Sequence, residues 1–217
     1  AYYLRLDGFQ VTLFEALGKL GGMLRAGIPD FRLPPEVLDR EIEQILALGM
    51  EVRTGTVLGK DVHLDSLKDQ GFGAVFLAIG AHRDLSLGVP GEEGEGVLRA
   101  VEFLRGVNLG ETVDVGRRVA VVGGGNVAVD AARVARRLGA EEVSIVYRRS
   151  EAEMPAYPEE IEGAKEEGIR IAYLQAPVRV VLEGGRVSGL ECIETRLGPP
   201  DAGGRRRPEP LEGSEHV

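Results

Sequence analysis

The run VAVVGGGNVAVDAARVARRLGAEEVSIVYRR, residues 119–149, limits the possible folds of this chain more than any other stretch. A β-branched run (119–122) meets three glycines, a helix-forming segment (126–138) follows without a break, and a second β-rich run (143–147) closes the unit. Strand, glycine turn, helix and strand in that order specify one half of a doubly wound nucleotide-binding sheet. Gly123, Gly125 and Ala128 fit the G-x-G-x-x-G/A pattern, with Gly124 between the first two. Gly123 permits the tight turn, Gly125 lets the backbone approach a pyrophosphate, and small Ala128 lets helix and strand pack closely. Free N–H groups and the positive end of the helix dipole would then face the phosphates. Val127, Ala131, Val134 and Leu138 are expected to line the apolar face of that helix.

The second strand ends on Arg148 and Arg149, about 20 residues past the turn, where the commonest such site carries an acid. An acid there holds the 2′-hydroxyl of NAD, whereas an arginine meets a 2′-phosphate in charge and fork geometry. The pair therefore predicts NADP rather than NAD. A pair of solvated arginines at a strand end is the plainer alternative.

An internal comparison extends the reading to the first half of the chain. LRLDGFQVTLFEA (4–16) aligns with ARRLGAEEVSIVYRR (135–149) as helix end, glycine and second strand. The second copy has a strand and glycine turn ahead of its helix, whereas the first copy starts inside the helix; the expectation is a fragment lacking the first strand and Gly-x-Gly loop of its first site. Glu15 holds the place in the first copy that Arg148 and Arg149 hold in the second, and its carboxylate suits a ribose hydroxyl, so an acid-tipped FAD site and an arginine-tipped NADP site are expected. An exposed strand-end acid is the plainer reading of Glu15.

Between the copies, Pro34 and Pro35 open a helix through Leu48, followed by a strand at 50–53 and another at 74–79 (AVFLAI), apolar enough to be covered on both faces. A short helix is expected at 100–107, a helix at 159–167, a strand at 169–174 and a hairpin turning at Gly184 and Gly185, with a loop-like tail after it. The expected fold is α/β: two Rossmann-like, doubly wound, three-layer nucleotide-binding domains, the FAD one incomplete at both ends. Residues 1–107 form the partial FAD domain, with 199–217 as a candidate continuation, and residues 108–198 the NADP domain.

Composition narrows the partners. With 26 lysines and arginines against 35 acids, the net charge of −9 argues against a nucleic-acid or anionic-membrane surface. No apolar run is long enough to span a bilayer. The one cysteine, Cys192, excludes a C-x-x-C redox pair within the chain and fits a reducing, cytoplasmic setting. His63, His82 and His216 have no metal-ligand spacing and read as surface residues, and the RRR run at 205–207 as a solvated loop.

GIPDFRLP (27–34), FLAIGA (76–81), VPGE (89–92), VVGGGNVAVDAAR (121–133) and VYRRSEAEMPAYPEE (146–160), in that order, resemble the glutamate synthase small-subunit family. Those FAD- and NADPH-dependent oxidoreductases are related to the flavin domains of dihydropyrimidine dehydrogenase and, more distantly, to adrenodoxin reductase. The resemblance implies an NADPH domain inserted in a discontinuous FAD domain, with hydride passing from nicotinamide to flavin and electrons on to iron-sulfur centres in a partner subunit or domain. It also implies that Gly123, Gly125, Asn126, Val127, Arg148 and Arg149 bind NADP and that Glu160 lies near the nicotinamide. Glu15, Gly22, Arg32, Val57 and Gly80 would contact FAD. Hydride transfer between two cofactors needs alignment more than a protein acid or base, so no catalytic side chain is expected. The family's Cys-rich iron-sulfur segment is absent from the chain. A thioredoxin-reductase-like enzyme would need a cysteine pair; a catalytically silent NADP-binding or docking module remains as the alternative from another class.

Overall fold

Parallel strands need a crossover between them, and the helices expected between the β-rich runs supply it. The computed structural model describes residues 1–200 and 204–217, which fall into two compact units, Ala1–His82 and Arg83–Val217. The first unit runs through helix α1 (Tyr2–Leu6), strand β1 (Thr12–Phe14), α2 (Gly22–Ala26), α3 (Pro35–Leu46), β2 (Glu51–Arg53) and α4 (Leu64–Asp69). β1 and β2 form a two-stranded parallel sheet, with Thr12 opposite Glu51 and Phe14 opposite Arg53. Helix α3 starts on Pro35, where a missing N–H costs nothing, and turns Leu38 inward. Helix α2 forms inside the glycine-rich stretch that the sequence presents as a loop.

The apolar run 74–79 corrects an expectation, because it forms no strand. Phe76 is 88% exposed and Ile79 68%. A strand covered on both faces must slot between neighbours, and neither β1 nor β2 pairs with this run.

The second unit comprises α5 (Ala100–Asn108), β3 (Arg118–Val122), α6 (Asn126–Arg137), β4 (Glu142–Tyr147), a single 3-10 turn (Glu151–Glu153), α7 (Pro158–Glu166), β5 (Arg170–Tyr173), β6 (Gln175–Glu183), β7 (Arg186–Pro200) and β8 (Arg206–Pro210). Strands β3, β4 and β5 pair in parallel in that order, Val119 opposite Val143 and Val146 opposite Ala172. Strands β6, β7 and β8 form a separate antiparallel sheet, in which β6 and β7 turn at Gly184 and Gly185 as the sequence predicts. Cys192 is buried on β7.

The tail is a second correction. Its residues 201–203 lie outside the described residues, but β8 pairs with β7 from Pro200 opposite Arg206 to Thr195 opposite Pro210. Pro208 and Pro210 are tolerated because β8 is an edge strand, where a missing ladder donor is not needed. Residues 204–217 fall in the second compact unit. Helix α5 packs on α6 and falls in the second compact unit, which starts at Arg83.

Helix α6 buries Ala131 and Val134 of the expected face but not its other two members. Val127 and Leu138 are exposed, while Ala128, Ala131, Ala132 and Ala135 are buried together with Val129 and Val134. Alanines at this spacing bring the helix axis close to the sheet. Val129 and Ala132 of α6, Val143 and Ile145 of β4 and Ile161 of α7 share one core, each large aliphatic side chain contributing about 1.5–3 kcal/mol on burial. No helix among the described residues is long and apolar enough to cross a membrane.

Candidate nucleotide-binding site

The core fixes the position of the glycine turn. At the end of β3, the Gly123 N–H donates to the Val146 carbonyl on β4 at 3.0 Å. The φ of Gly123 is +141°, a conformation L side chains rarely adopt, and a Cβ there would lie 3.2 Å from the Ala128 Cβ. Gly124 is required for a different reason: its Cβ would lie 2.5 Å from ring atoms of Tyr147. Gly125 caps α6 by accepting from the N–H groups of Ala128 (3.0 Å) and Val129 (3.2 Å), and a Cβ on it would meet nothing within 4 Å. The amides of Gly124, Gly125, Asn126 and Val127 find no acceptor among the described residues. Open space over Gly125 beside unpaired amides at a helix start suits a diphosphate.

A short strap holds the turn from its other side. The Ala156 N–H donates to the Gly124 carbonyl at 3.1 Å, and the Tyr157 N–H donates to Asn126 Oδ1 at 2.9 Å. Met154 and Ala156 are buried, and the Tyr147 hydroxyl donates to the Glu153 carbonyl at 2.7 Å. The sequence shows MPAYP as a motif without showing that it is tied to Gly124 and Asn126; the separation of 31 positions from Asn126 to Tyr157 hides that contact.

Arg148 and Arg149 differ sharply. Arg148 is exposed and its guanidinium makes no hydrogen bond or ion pair with a described residue, while its carbonyl accepts from Thr195 Oγ1 at 2.9 Å. Arg149 is buried, and its Nε donates to the Arg206 carbonyl at 2.7 Å. Its own carbonyl accepts from the N–H of Leu174, whose φ of +56° is uncommon for a non-glycine residue. The Thr195 N–H in turn donates to the Leu174 carbonyl at 2.8 Å, so the antiparallel sheet is sewn to the end of β4 at these two arginines.

In the first unit, Glu15 follows β1 and folds its Oε1 back onto the Leu17 N–H at 2.8 Å. Its carbonyl accepts from the Thr56 N–H at 2.9 Å, which sets Glu15 beside the start of the turn at Val57. Gly22 opens α2, Arg32 lies in the turn before α3 and Gly80 in the irregular segment after α4. No hydrogen bond described here joins those three to Glu15 or Val57.

Comparison with known proteins gives this arrangement a family. The profile of the "Pyridine nucleotide-disulphide oxidoreductase" family matches residues 1–195. The chain belongs to this family. A relative in this group, the NADPH-Fe(3+) oxidoreductase subunit beta of Geobacter sulfurreducens, is 49% identical over 223 residues, covering 100% of this chain and 33% of that protein. The small chain of glutamate synthase [NADPH] from Escherichia coli is 38% identical over 226 residues, covering 99% of this chain and 48% of its own length, which bears out the resemblance read from the motifs. The chain thus spans a third to half of these relatives. Among solved structures, Mycobacterium tuberculosis FprA in complex with NADPH superimposes with a TM-score of 0.82 at 20% identity, over 98% of this chain and 64% of that one. That likeness establishes the α/β Rossmann-type fold.

In this pyridine nucleotide-disulphide oxidoreductase chain, Cys192 is buried and its thiol is pushed up by that burial, away from dithiol chemistry. Glu160 is held in an ion network that clasps α6 to α7. Arg133 meets Glu160 at 2.5 Å and Glu167 at 2.9 Å, and Arg137 meets Glu167 at 2.8 Å. Burial opposes the charge on Glu167, but hydrogen bonds from Arg137 and Arg133 outweigh it and hold the carboxyl below its ordinary range. A carboxylate whose folded-state pKa is depressed stabilises the fold above its unfolded pKa and loses that contribution as pH falls through the folded value. Thermal melts of Arg133→Met and the parent are therefore expected to differ at neutral pH and to converge below about pH 4.3, near the unperturbed Glu value. A constant difference down to pH 3 would show that Arg133 acts by packing alone.

Proposed function

We propose that the chain is the nicotinamide-handling part of a flavin-dependent NADPH oxidoreductase of the glutamate synthase small-subunit type. The second unit binds NADP(H), the first contributes to an FAD site, and electrons leave for iron-sulfur centres of a partner subunit or domain. The observation that carries this reading is the turn at 123–127: unpaired amides and an open Gly125 within one short segment, followed by exposed Arg148 at the end of the next strand. Amides of Gly124, Gly125, Asn126 and Val127 would grip the diphosphate, and Arg148 the 2′-phosphate.

When bound, NADPH supplies a hydride and FAD accepts it. The chain's residues contribute binding and alignment, and the proposal requires no acid–base pair. Glu15 suits a ribose hydroxyl of FAD, with Gly22, Arg32, Val57 and Gly80 as its companions in that site, and Glu160 lies on α7 near the nicotinamide end. A cytoplasmic setting fits a chain with one cysteine.

A second reading, an NADP-binding module without flavin, is favoured by one contrast. The second unit carries a three-stranded parallel sheet over a shared core, whereas the first has two paired strands and an exposed apolar run at 74–79. Absorption spectra of the purified chain with added FAD decide between them. A bound flavin band bleached by NADPH, and far more slowly by NADH, supports the oxidoreductase. A colourless chain that binds NADPH supports the module, and a chain that binds neither nucleotide overturns both.

A further inference from the structure

Polar side chains are rarely buried in this chain, and where they are buried they need a partner. Among the described residues three polar or charged side chains are buried, and two of them, Arg149 and Thr195, belong to the join between the end of β4 and the antiparallel sheet. The parallel ladder stops at Tyr147, opposite Tyr173. Past that point Arg148 and Arg149 are held by hydrogen bonds of another kind.

Thr195 takes part in these bonds at both ends. Its hydroxyl donates to the Arg148 carbonyl at 2.9 Å, and its N–H donates to the Leu174 carbonyl at 2.8 Å. The Leu174 N–H donates in turn to the Arg149 carbonyl at 3.1 Å, which closes the circuit. A peptide unit is planar, so holding its oxygen stops it from turning. The peptide planes on either side of Arg149 are therefore fixed, and with them the direction in which the backbone leaves Arg148.

One bond of the circuit depends on a side chain. Valine at position 195 would keep the N–H to Leu174 and the place opposite Pro210 in the β7–β8 pairing. At 4% exposure it would also bury its surface without the cost of a hydroxyl. The threonine oxygen thus has one recorded hydrogen bond to make, and it goes to the residue with the exposed guanidinium.

We propose that Thr195 is a positioning residue for coenzyme choice: its hydroxyl holds the Arg148 peptide so that the guanidinium stays poised for the 2′-phosphate of NADP(H). Discrimination then depends on a residue 47 positions downstream of the arginine it serves. This rests on the NADP reading of the second unit. Without the hydroxyl the Arg148 carbonyl turns to water, fewer molecules keep the competent backbone, and affinity for the 2′-phosphate falls by that fraction. NAD+ does not use that contact.

The test is titration calorimetry of the 217-residue chain with NADP+ and with NAD+, for the parent, T195V, T195S and T195A, with thermal melts as the control for folding. T195V is expected to bind NADP+ about tenfold more weakly and NAD+ within about twofold of the parent. T195S keeps the hydroxyl and is expected to keep the preference. T195A read against T195S isolates the hydroxyl a second time, should T195V not fold. In an R148Q background T195V is expected to cost no further NADP+ affinity, because Thr195 acts through Arg148. The proposal is overturned if the hydroxyl-free variants keep the parent's ratio of the two affinities, if they lose both dinucleotides equally, or if T195V and R148Q act additively. It is also overturned if neither hydroxyl-free chain folds while T195S does, since the hydroxyl then serves the fold. A parent with no preference for NADP+ removes the NADP reading itself, and this proposal with it.

Discussion

Replacing Gly124 with valine is expected to lower the melting temperature of the chain by about 6 °C and to abolish NADP+ binding. A Cβ at this position would lie 2.5 Å from the Tyr147 ring, inside any van der Waals contact. The ring has nowhere to retreat. It is buried in the core of the second unit and its hydroxyl is anchored to the Glu153 carbonyl at 2.7 Å. Overpacking of this kind costs about 1–3 kcal/mol, and each kcal/mol lowers the melting temperature of a chain this size by roughly 2–4 °C. Differential scanning fluorimetry with and without NADP+ measures both effects. A G124V variant that melts with the parent would mean that Tyr147 is not held where the core places it.

Reversing the charge at Arg148 acts on the ligand and leaves the fold alone. Its guanidinium is exposed, and the contact that fixes the residue is made by its carbonyl to Thr195, which a side-chain exchange leaves intact. Arg148→Glu removes a charge-assisted contact and sets a carboxylate beside the 2′-phosphate, so NADP+ affinity is expected to fall about 100-fold. NAD+ affinity is expected to hold or rise, because an acid at this place suits a free 2′-hydroxyl. Calorimetry with the two dinucleotides gives the ratio directly. Parallel losses for both would point to damage elsewhere, and an unchanged ratio would remove Arg148 from the site.

The nucleotide half was legible because its signals are local. A β-branched run, three glycines and an alanine-rich helix follow one another without interruption, and each element falls where the pattern predicts it. The buried face of α6 is only partly legible, since Ala128, Ala132 and Ala135 carry little hydrophobic weight, although they are what lets the helix sit close. The run at 74–79 looks like a strand by composition, but pairing depends on neighbours that composition cannot supply. RRPEP reads as a loop because two prolines in five residues argue against a central strand, yet they say nothing against an edge one. Hardest to see was the burial of Arg149. It depends on a carbonyl 57 residues away and on a leucine in a left-handed conformation, and neither leaves a trace in the sequence around Arg149.

The strap at 156–157 also decides which way the turn can face. A trans peptide unit is planar, so the Gly124 carbonyl and the Gly125 N–H point to opposite sides of one rigid plate. With the oxygen moored to the Ala156 N–H, rotation of that plate is blocked, and the hydrogen stays turned outward. A flipped peptide would present an oxygen, and hence repulsion, to any diphosphate that arrived. The local polarity of the loop is therefore set during folding, and an incoming anion has no reorientation of that dipole to drive.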